Sequence, residues 1–467
     1  MTLVRKLTCI GVIVLLVGCS GGGVAAPSTA ETAATTSFTT GTTVGEPAPG
    51  GLRWCGYVPG AATAPQHDDM APFPDLPPEM PANSAVSAET TARQLTVLND
   101  LSNAVVDHYV DPSLNGVDWP GIVARYRDVV SAGLTDDDFY AAMNRMIQEL
   151  GDEHSHFQSP AEIAAEQAEI AGQLDFVGIG GYFLPIFEAG GASLSLVFHD
   201  SPAERAGLRS HDTVISVDGQ PAIGTPGETF INPFLGPEGS KISITVSHPG
   251  GGTETLDLVR ERVEANLIDI CVVPGTRIIY ILLPHLFDST LGDQIQSALS
   301  SLASGGPLDG VVIDNRMNGG GRFSVLDPIL ALFTAGDLGE YSNREGTRQM
   351  VIEPHDVNGS QTVPMVVLVG ANTVSYGEVM SGILQANGRA QIVGSTTHGN
   401  VESLNAFDFE DGSRLWLAAE TFEAVGATYG PWEETGIIPD VEVPTRWDLF
   451  DETNDPALAA AVAILTG

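Results

Sequence analysis

Four short stretches of this chain hold side chains whose types could make and break bonds. Ser375 follows the apolar run Met365 to Val369 and opens a helical stretch, Tyr376-Gly377-Glu378. Asn318-Gly319-Gly320-Gly321 follows a second apolar run, Val311 to Asp314. His154 and His156 stand in a polar loop after a helical pattern that stops at Gly151, and Glu433 and Glu434 lie adjacent far downstream. A serine hydroxyl is a weak nucleophile at neutral pH; an imidazole can take its proton, and a carboxylate can fix the imidazole's tautomer and stabilise its charged form. Glycines let backbone N–H groups approach a developing oxyanion. The chemistry open to such a set is nucleophilic acyl transfer. Each member also has an ordinary structural reading: a serine at a strand–helix junction is a common N-cap, a histidine in a polar loop is often merely exposed, and glycines often make only a tight turn.

The order of these stretches resembles a known family. Ile313-Asp314-Asn315-Arg316-Met317-Asn318-Gly319-Gly320-Gly321 is similar to the Asp-x-Arg-x-Asn-x-Gly-Gly signature of tail-specific (C-terminal processing) serine peptidases. Enzymes of that family with a Ser/Lys dyad carry the nucleophile in Ser-x-Ser-Glu, but here the second Ser is Gly377, and Asn400 stands where the dyad Lys would be. Beyond the N-terminal leader the chain has one lysine, Lys241, outside the core. Ser375-Tyr376-Gly377-Glu378 instead resembles the tricorn-core branch, with Asp152-x-His154-Ser155 as its histidine loop and Glu433-Glu434-Thr435-Gly436-Ile437-Ile438-Pro439-Asp440 as its acid segment. The resemblance implies a Ser375/His154/Glu433 triad, with oxyanion donors from the N–H groups of Tyr376 and of Gly320 or Gly319. His156 and His398 are rivals for the base, and Glu434 for the acid. The implied fold is a layered, crotonase-like α/β core.

Val177-Gly178-Ile179-Gly180-Gly181-Tyr182-Phe183 resembles the carboxylate-binding loop of a PDZ domain, and Ser201 to Leu208 with Asp212 to Gly219 resembles its later core. What this implies is capture of a peptide's C-terminus by Val177, Gly178, Ile179 and Gly180, with the peptide adding a strand to a sheet edge.

The elements that would position these groups fall into three units. Apolar residues recur at helical spacing through Leu95, Leu98, Leu101 and Val105, and again through Phe139, Met143, Met146 and Ile147, a helical unit over 86–170. Thr135 before three aspartates supplies an N-cap and first-turn acids. Short strands and turns follow over 171–263, with one helix near Pro202. From 264 to 467, strands alternate with helices, the pattern of a layered α/β domain.

Before the folded units, Arg5 and Lys6 precede the apolar run Leu7 to Val17, too short to span a bilayer. With Leu16-Val17-Gly18-Cys19 it resembles a lipoprotein signal over 1–18, lipidated at Cys19, which predicts an extracytoplasmic protein held to a bacterial membrane; signal cleavage nearby would release a secreted one. Residues 19–85 have the composition of a flexible tether, in which Trp54, Cys55 and Tyr57 stand out as a short docked element. Cys55 and Cys271 are the two thiols left in such an oxidising compartment, paired with one another or buried separately. Against 59 acidic residues stand 20 basic ones, net −39, which excludes a nucleic-acid partner. No metal-ligand spacing or phosphate loop appears, so no cofactor is expected. Two function classes remain: a serine endopeptidase acting on polypeptides, or a catalytically inactive relative that holds peptides or small apolar ligands.

Overall fold

The computed structural model describes residues 48–61, 84–152, 154–164, 176–224, 232–265, 268–428 and 430–467. The signal segment, Cys19 and most of the tether region lie outside them. One piece of that region is ordered against the core. Strand β1 (Arg53–Trp54) pairs in parallel with residues 271–272, and Cys55 is joined to Cys271 by a disulfide.

Three helices come next, α1 (Ala88–His108), α2 (Trp119–Ser131) and α3 (Asp136–Gln148). Each starts on an oxygen that accepts an N–H of the first turn: Ser87 from Thr90, Asp118 from Gly121 and Thr135 from Asp138. Their apolar faces, among them Leu98, Leu101, Tyr126, Phe139 and Met146, close over Leu415 and Leu417 of the distant core. Strand β2 (His156–Gln158) leaves the third helix and pairs with residues 414–416. The histidine loop is thereby fixed at both ends.

The middle unit is antiparallel. Strands β3 (Phe176–Gly178), β4 (Gly181–Ile186) and β5 (Gly191–Val197) precede a one-turn helix α4 (Pro202–Arg205). Strands β6 (Thr213–Val217), β7 (Gln220–Pro221), β8 (Lys241–Ser247), β9 (Thr253–Val259) and β10 (Glu261–Val263) follow. The sheet runs β4-β5-β6-β8-β9, which leaves β4 at an edge, while β10 returns to pair with β3. Alternation in β4, and a bulge at Ser195 in β5, divide the two strands between two cores. Phe183 and Leu194 face the unit's own interior, whereas Ile186 and Leu196 face the last domain.

The last domain is built on β11 (Asp269–Val272), β12 (Ile278–Leu282), helix α5 (Leu291–Ala303), β13 (Gly310–Asp314) and helix α6 (Phe323–Phe333). It continues through the hairpin β14 (Gly336–Asn343) and β15 (Gly346–Ile352), then β16 (Met365–Val369), helix α7 (Tyr376–Ala386) and β17 (Gln391–Gly394). Strands β18 (Ser403–Asp408) and β19 (Arg414–Ala424), the short helix α8 (Trp432–Thr435), β20 (Val441–Glu442) and helix α9 (Pro456–Thr466) complete it. The main sheet has the order β1-β11-β12-β13-β16-β17-β20, with β12 to β20 all parallel. Its strands are continuous apolar runs because both faces are covered. Val311, Ile313, Val367 and Val369 face α5, α6 and α7. Val312, Val366 and Leu368 face α9 and the middle unit.

Trp447 joins the middle unit to this sheet. Its indole N–H donates to the Leu194 carbonyl (2.8 Å), its own carbonyl accepts from His211 Nδ1 (2.8 Å), and the two rings stack at 3.8 Å. Beneath it the buried Arg316 guanidinium, 5.0 Å from the indole centroid, is held by Asp314 and Asp455 (2.5 Å to each).

Candidate active site

In a parallel sheet the crevice lies beyond the carboxyl ends of the strands. Here β13 runs into Asn315 to Gly321 and β16 into Gly370 to Ser375, and the two turns are stitched together. Thr373 Oγ1 donates to the Asn315 carbonyl (2.8 Å), Val374 N–H to the Asn318 carbonyl (2.9 Å), and Asn315 Nδ2 to Ser381 Oγ on α7 (3.1 Å). Ser375, at the head of α7, has φ 55° and ψ −126°, a positive φ that costs a non-glycine residue about 1–3 kcal/mol. Its N–H is pulled into that conformation by the Asn400 carbonyl (2.9 Å) and Glu378 Oε2 (3.2 Å). Gly320, at φ +90°, is pressed on the serine: a Cβ there would sit 2.7 Å from Ser375 Cβ and 3.0 Å from its Oγ.

Glu378 organises the next layer. Fully buried, it accepts from Thr397 Oγ1 (2.6 Å), Gly399 N–H (2.7 Å) and Asn400 N–H (2.9 Å), and burial raises its pKa against those donors. The 397–400 loop is thus tied to the serine turn. The same loop runs on to Val401 and Glu402, whose N–H groups donate to Glu433 Oε2 (2.7 and 3.3 Å). Glu434 is exposed, so of the two neighbouring glutamates Glu433 is the one turned inward. Its pKa is pushed up to about 8, by burial first, opposed by the two N–H donors and reinforced by the charges of Asp152 and Glu378.

The histidine loop arrives from the other side. Asp152 accepts from the N–H groups of His154 (2.7 Å) and Ser155 (3.2 Å) and from the Ser155 hydroxyl, which in turn accepts Ala418 N–H from β19 (2.9 Å). His154 is buried, and its Nδ1 has no hydrogen-bond partner among the described residues. Burial pushes its pKa down to about 3, helped by the neighbouring His156 and His398. The charge of His398 also acts on Glu378, and that of Asp152 on Glu433. The loops of His154, His398, Glu433 and Ser375 therefore share one electrostatic neighbourhood.

Two of the three N–H groups expected as oxyanion donors have internal acceptors in this structure. Gly320 N–H donates to Asn318 Oδ1 (2.9 Å) and Gly319 N–H to the Pro284 carbonyl (3.2 Å), so both are engaged. The cause is local: Asn318 closes a two-residue side-chain turn on Gly320, and residues 284–286 run beside the glycines. Tyr376 N–H, at the first position of α7, has no acceptor in the preceding turn and is the one of the three left open. Sequence reasoning assigned no role to Glu378, Asn318 or Asp152. The spacing Ser375 to Glu378, an acid three residues after a helix-opening serine, is a capping-box signal that marks the first. Among the described residues no cluster of side chains suited to a metal ion occurs.

A strained serine at a helix head, backed by a buried carboxylate hub and beside histidine and glutamate loops, is the architecture of a serine hydrolase built on a parallel sheet. Residues 277–443 match the model of peptidase family S41, and residues 94–148 that of the tricorn protease C1 domain. The chain thus carries a segment of the S41 peptidase type behind one of the tricorn C1 type, and the relatives it resembles are named as serine proteases or as peptidases that process carboxyl termini. It is 27% identical over 367 residues to a carboxyl-terminal-processing protease of Picosynechococcus sp., covering 77% of this chain and 86% of that one. It is 26% identical over 361 residues to the chloroplastic carboxyl-terminal-processing peptidase 2 of Arabidopsis thaliana, covering 74% and 68%. Its fold aligns with a photosystem II D1 C-terminal processing protease at a TM-score of 0.54 and 25% identity, over 77% of this chain and 94% of that one.

Proposed function

We propose that the protein is an endopeptidase in which Ser375 attacks the peptide carbonyl, His154 takes and returns the proton, and Glu433 steadies the imidazolium. The observation that carries this reading is the Glu378 hub. It ties the strained Ser375 turn to the loop that receives the Glu433 side chain, while Gly377 and Asn400 occupy the positions a Ser/Lys dyad would need. In the first step the Oγ–carbon bond forms, the hydroxyl proton passes to the imidazole, and the leaving amine takes it as the C–N bond breaks. Water then hydrolyses the acyl-enzyme by the reverse roles. Tyr376 N–H receives the oxyanion, and Gly320 N–H joins it once the Asn318 amide turns aside; each donor contributes on the order of 3 kcal/mol.

The middle unit acts in this reading as a PDZ domain that takes substrate C-termini. The carbonyls of Ile179 and Gly180 are tied inward, to Ala203 N–H (2.7 Å) and Phe198 N–H (3.1 Å), and the neighbouring strand β4 offers a free edge. The enzyme works outside the cytoplasm on a lipid attached at Cys19. A fluorophosphonate probe tests the core of the proposal. Wild type is expected to be labelled and Ser375→Ala spared, with His154→Ala folded but at least about 10³-fold slower. A folded wild type that resists the probe would favour the alternative, a peptide-holding relative without turnover.

A further inference from the structure

The chain carries 59 acidic residues against 20 basic ones, and the site itself is ringed by Asp152, Glu378 and Glu433. An anionic segment of substrate would be repelled unless a cation met it. Cations are scarce here, and nearly all of the described ones are engaged with carboxylates, as Arg53, Arg316 and Arg348 are, or with backbone carbonyls, as Arg277 and Arg389 are. Among the described residues three side chains have no partner: Arg209 and Lys241 on the middle unit, and Arg322.

Arg322 stands apart from the other two by position. Its backbone is clamped, its N–H donating to the Leu286 carbonyl (2.7 Å) while Leu286 N–H donates to the Gly320 carbonyl (2.7 Å). Two residues back along the chain, Gly320 is in contact with Ser375. Its side chain is exposed. It also sits at the N-cap of α6, where the helix dipole disfavours a positive charge, so folding gives no local reason for an arginine there. An unpaired, exposed guanidinium on a backbone clamped two residues from the glycine that touches Ser375, in a strongly acidic protein, is a fork for an incoming carboxylate.

We propose that Arg322 is a specificity-determining residue whose guanidinium takes a carboxylate of the polypeptide substrate close to the bond that Ser375 attacks. This rests on Ser375 being the nucleophile. The carboxylate is either the chain terminus or an Asp or Glu side chain. The test uses three internally quenched peptides of one apolar sequence: amidated and neutral, amidated with a single Glu, and neutral in its side chains with a free C-terminal carboxylate. The readout is the ratio of kcat/KM for each acidic peptide to that for the neutral one, measured for wild type, Arg322→Gln and Arg322→Lys. For wild type we expect at least one ratio of about 10- to 100-fold, the size of a charge-assisted hydrogen bond. Arg322→Gln is expected to bring it close to 1 and Arg322→Lys to restore part of it, with the wild-type ratio falling as salt rises. Which acidic peptide shows the ratio identifies the source of the carboxylate. A wild type that is labelled by the fluorophosphonate but prefers neither acidic peptide overturns the inference, as does an Arg322→Gln enzyme that loses rate on all three peptides alike. A wild type that resists the fluorophosphonate removes the peptidase reading itself, and this inference with it.

Discussion

His154 and Glu433 have been moved away from their ordinary protonation in opposite directions. With its pKa pushed down to about 3, His154 is a neutral imidazole across the working range, in the form a base needs but a weak one until a neighbouring carboxylate ionises. Glu433, pushed up to about 8, is largely protonated at neutral pH and cannot yet stabilise an imidazolium. If the triad operates, kcat/KM should rise with pH through about 8, and Glu433→Gln should lie about 10³–10⁴-fold lower at the plateau. Stability carries a separate signature. A carboxyl whose pKa is raised in the fold favours folding below its ordinary value of 4.5 and loses that advantage as pH climbs to about 8. The Tm of Glu433→Gln relative to wild type should therefore increase between pH 5 and 9. For His154 the sign reverses: stability falls as pH drops from 6.5 towards 3, because the unfolded imidazole binds the proton first. A pH series of melting curves on both variants checks the two windows. At this scale the sequence was most legible in the types of the candidate groups, and least legible in what holds them. Nothing in the order of residues announces that Asn318 occupies the Gly320 N–H, since that bond depends on one side-chain torsion.

The site at the scale of elements is two strand-ending turns and two loops, and the geometry leaves little slack. Gly320→Ala would drive a methyl into Ser375 at a backbone angle that alanine resists. We expect fluorophosphonate labelling to fall at least about 10²-fold, with a loss of about 1–3 kcal/mol in a denaturant titration. Retained labelling would mean that the serine turn gives way and is softer than its hydrogen bonds suggest. The first and third helices and the main strands could be read from periodicity and apolar runs, because both faces of the parallel sheet are buried, and one N-cap is written in Thr135; the caps at Ser87 and Asp118 went unread. What could not be read is the pairing of β2 with β19. Residues 156–158 and 414–416 are short, lie far apart in the chain, and carry no pattern that specifies one another.

For the whole molecule, the Cys55–Cys271 disulfide closes a loop of 216 residues around the helical and middle units. The β1 strap it secures also rests on the segment around Glu452, through Gly56 N–H (3.1 Å) and through Val58 N–H to the Thr453 carbonyl (3.2 Å). Replacing both cysteines by alanine should lower stability by about 2–4 kcal/mol, and the same loss should follow reduction of the wild type. A double variant that melts with the oxidised protein would place the strap outside the cooperative unit. From the sequence the pairing is one of two outcomes for the two thiols left beyond the leader, and the structure realises it; no local pattern relating residues 216 positions apart could decide between them.

Arg316 has one further consequence. Of its two carboxylate partners, Asp314 is a near neighbour in sequence but Asp455 belongs to the chain's closing stretch, as do the rings of Trp447 and Phe450 that cover it. One carboxylate would already neutralise the guanidinium, so what Asp455 adds is two further charge-assisted hydrogen bonds that bind the turn before Asn318 to a distant stretch of chain. Damage to that remote segment would accordingly be felt at the serine crevice without touching it.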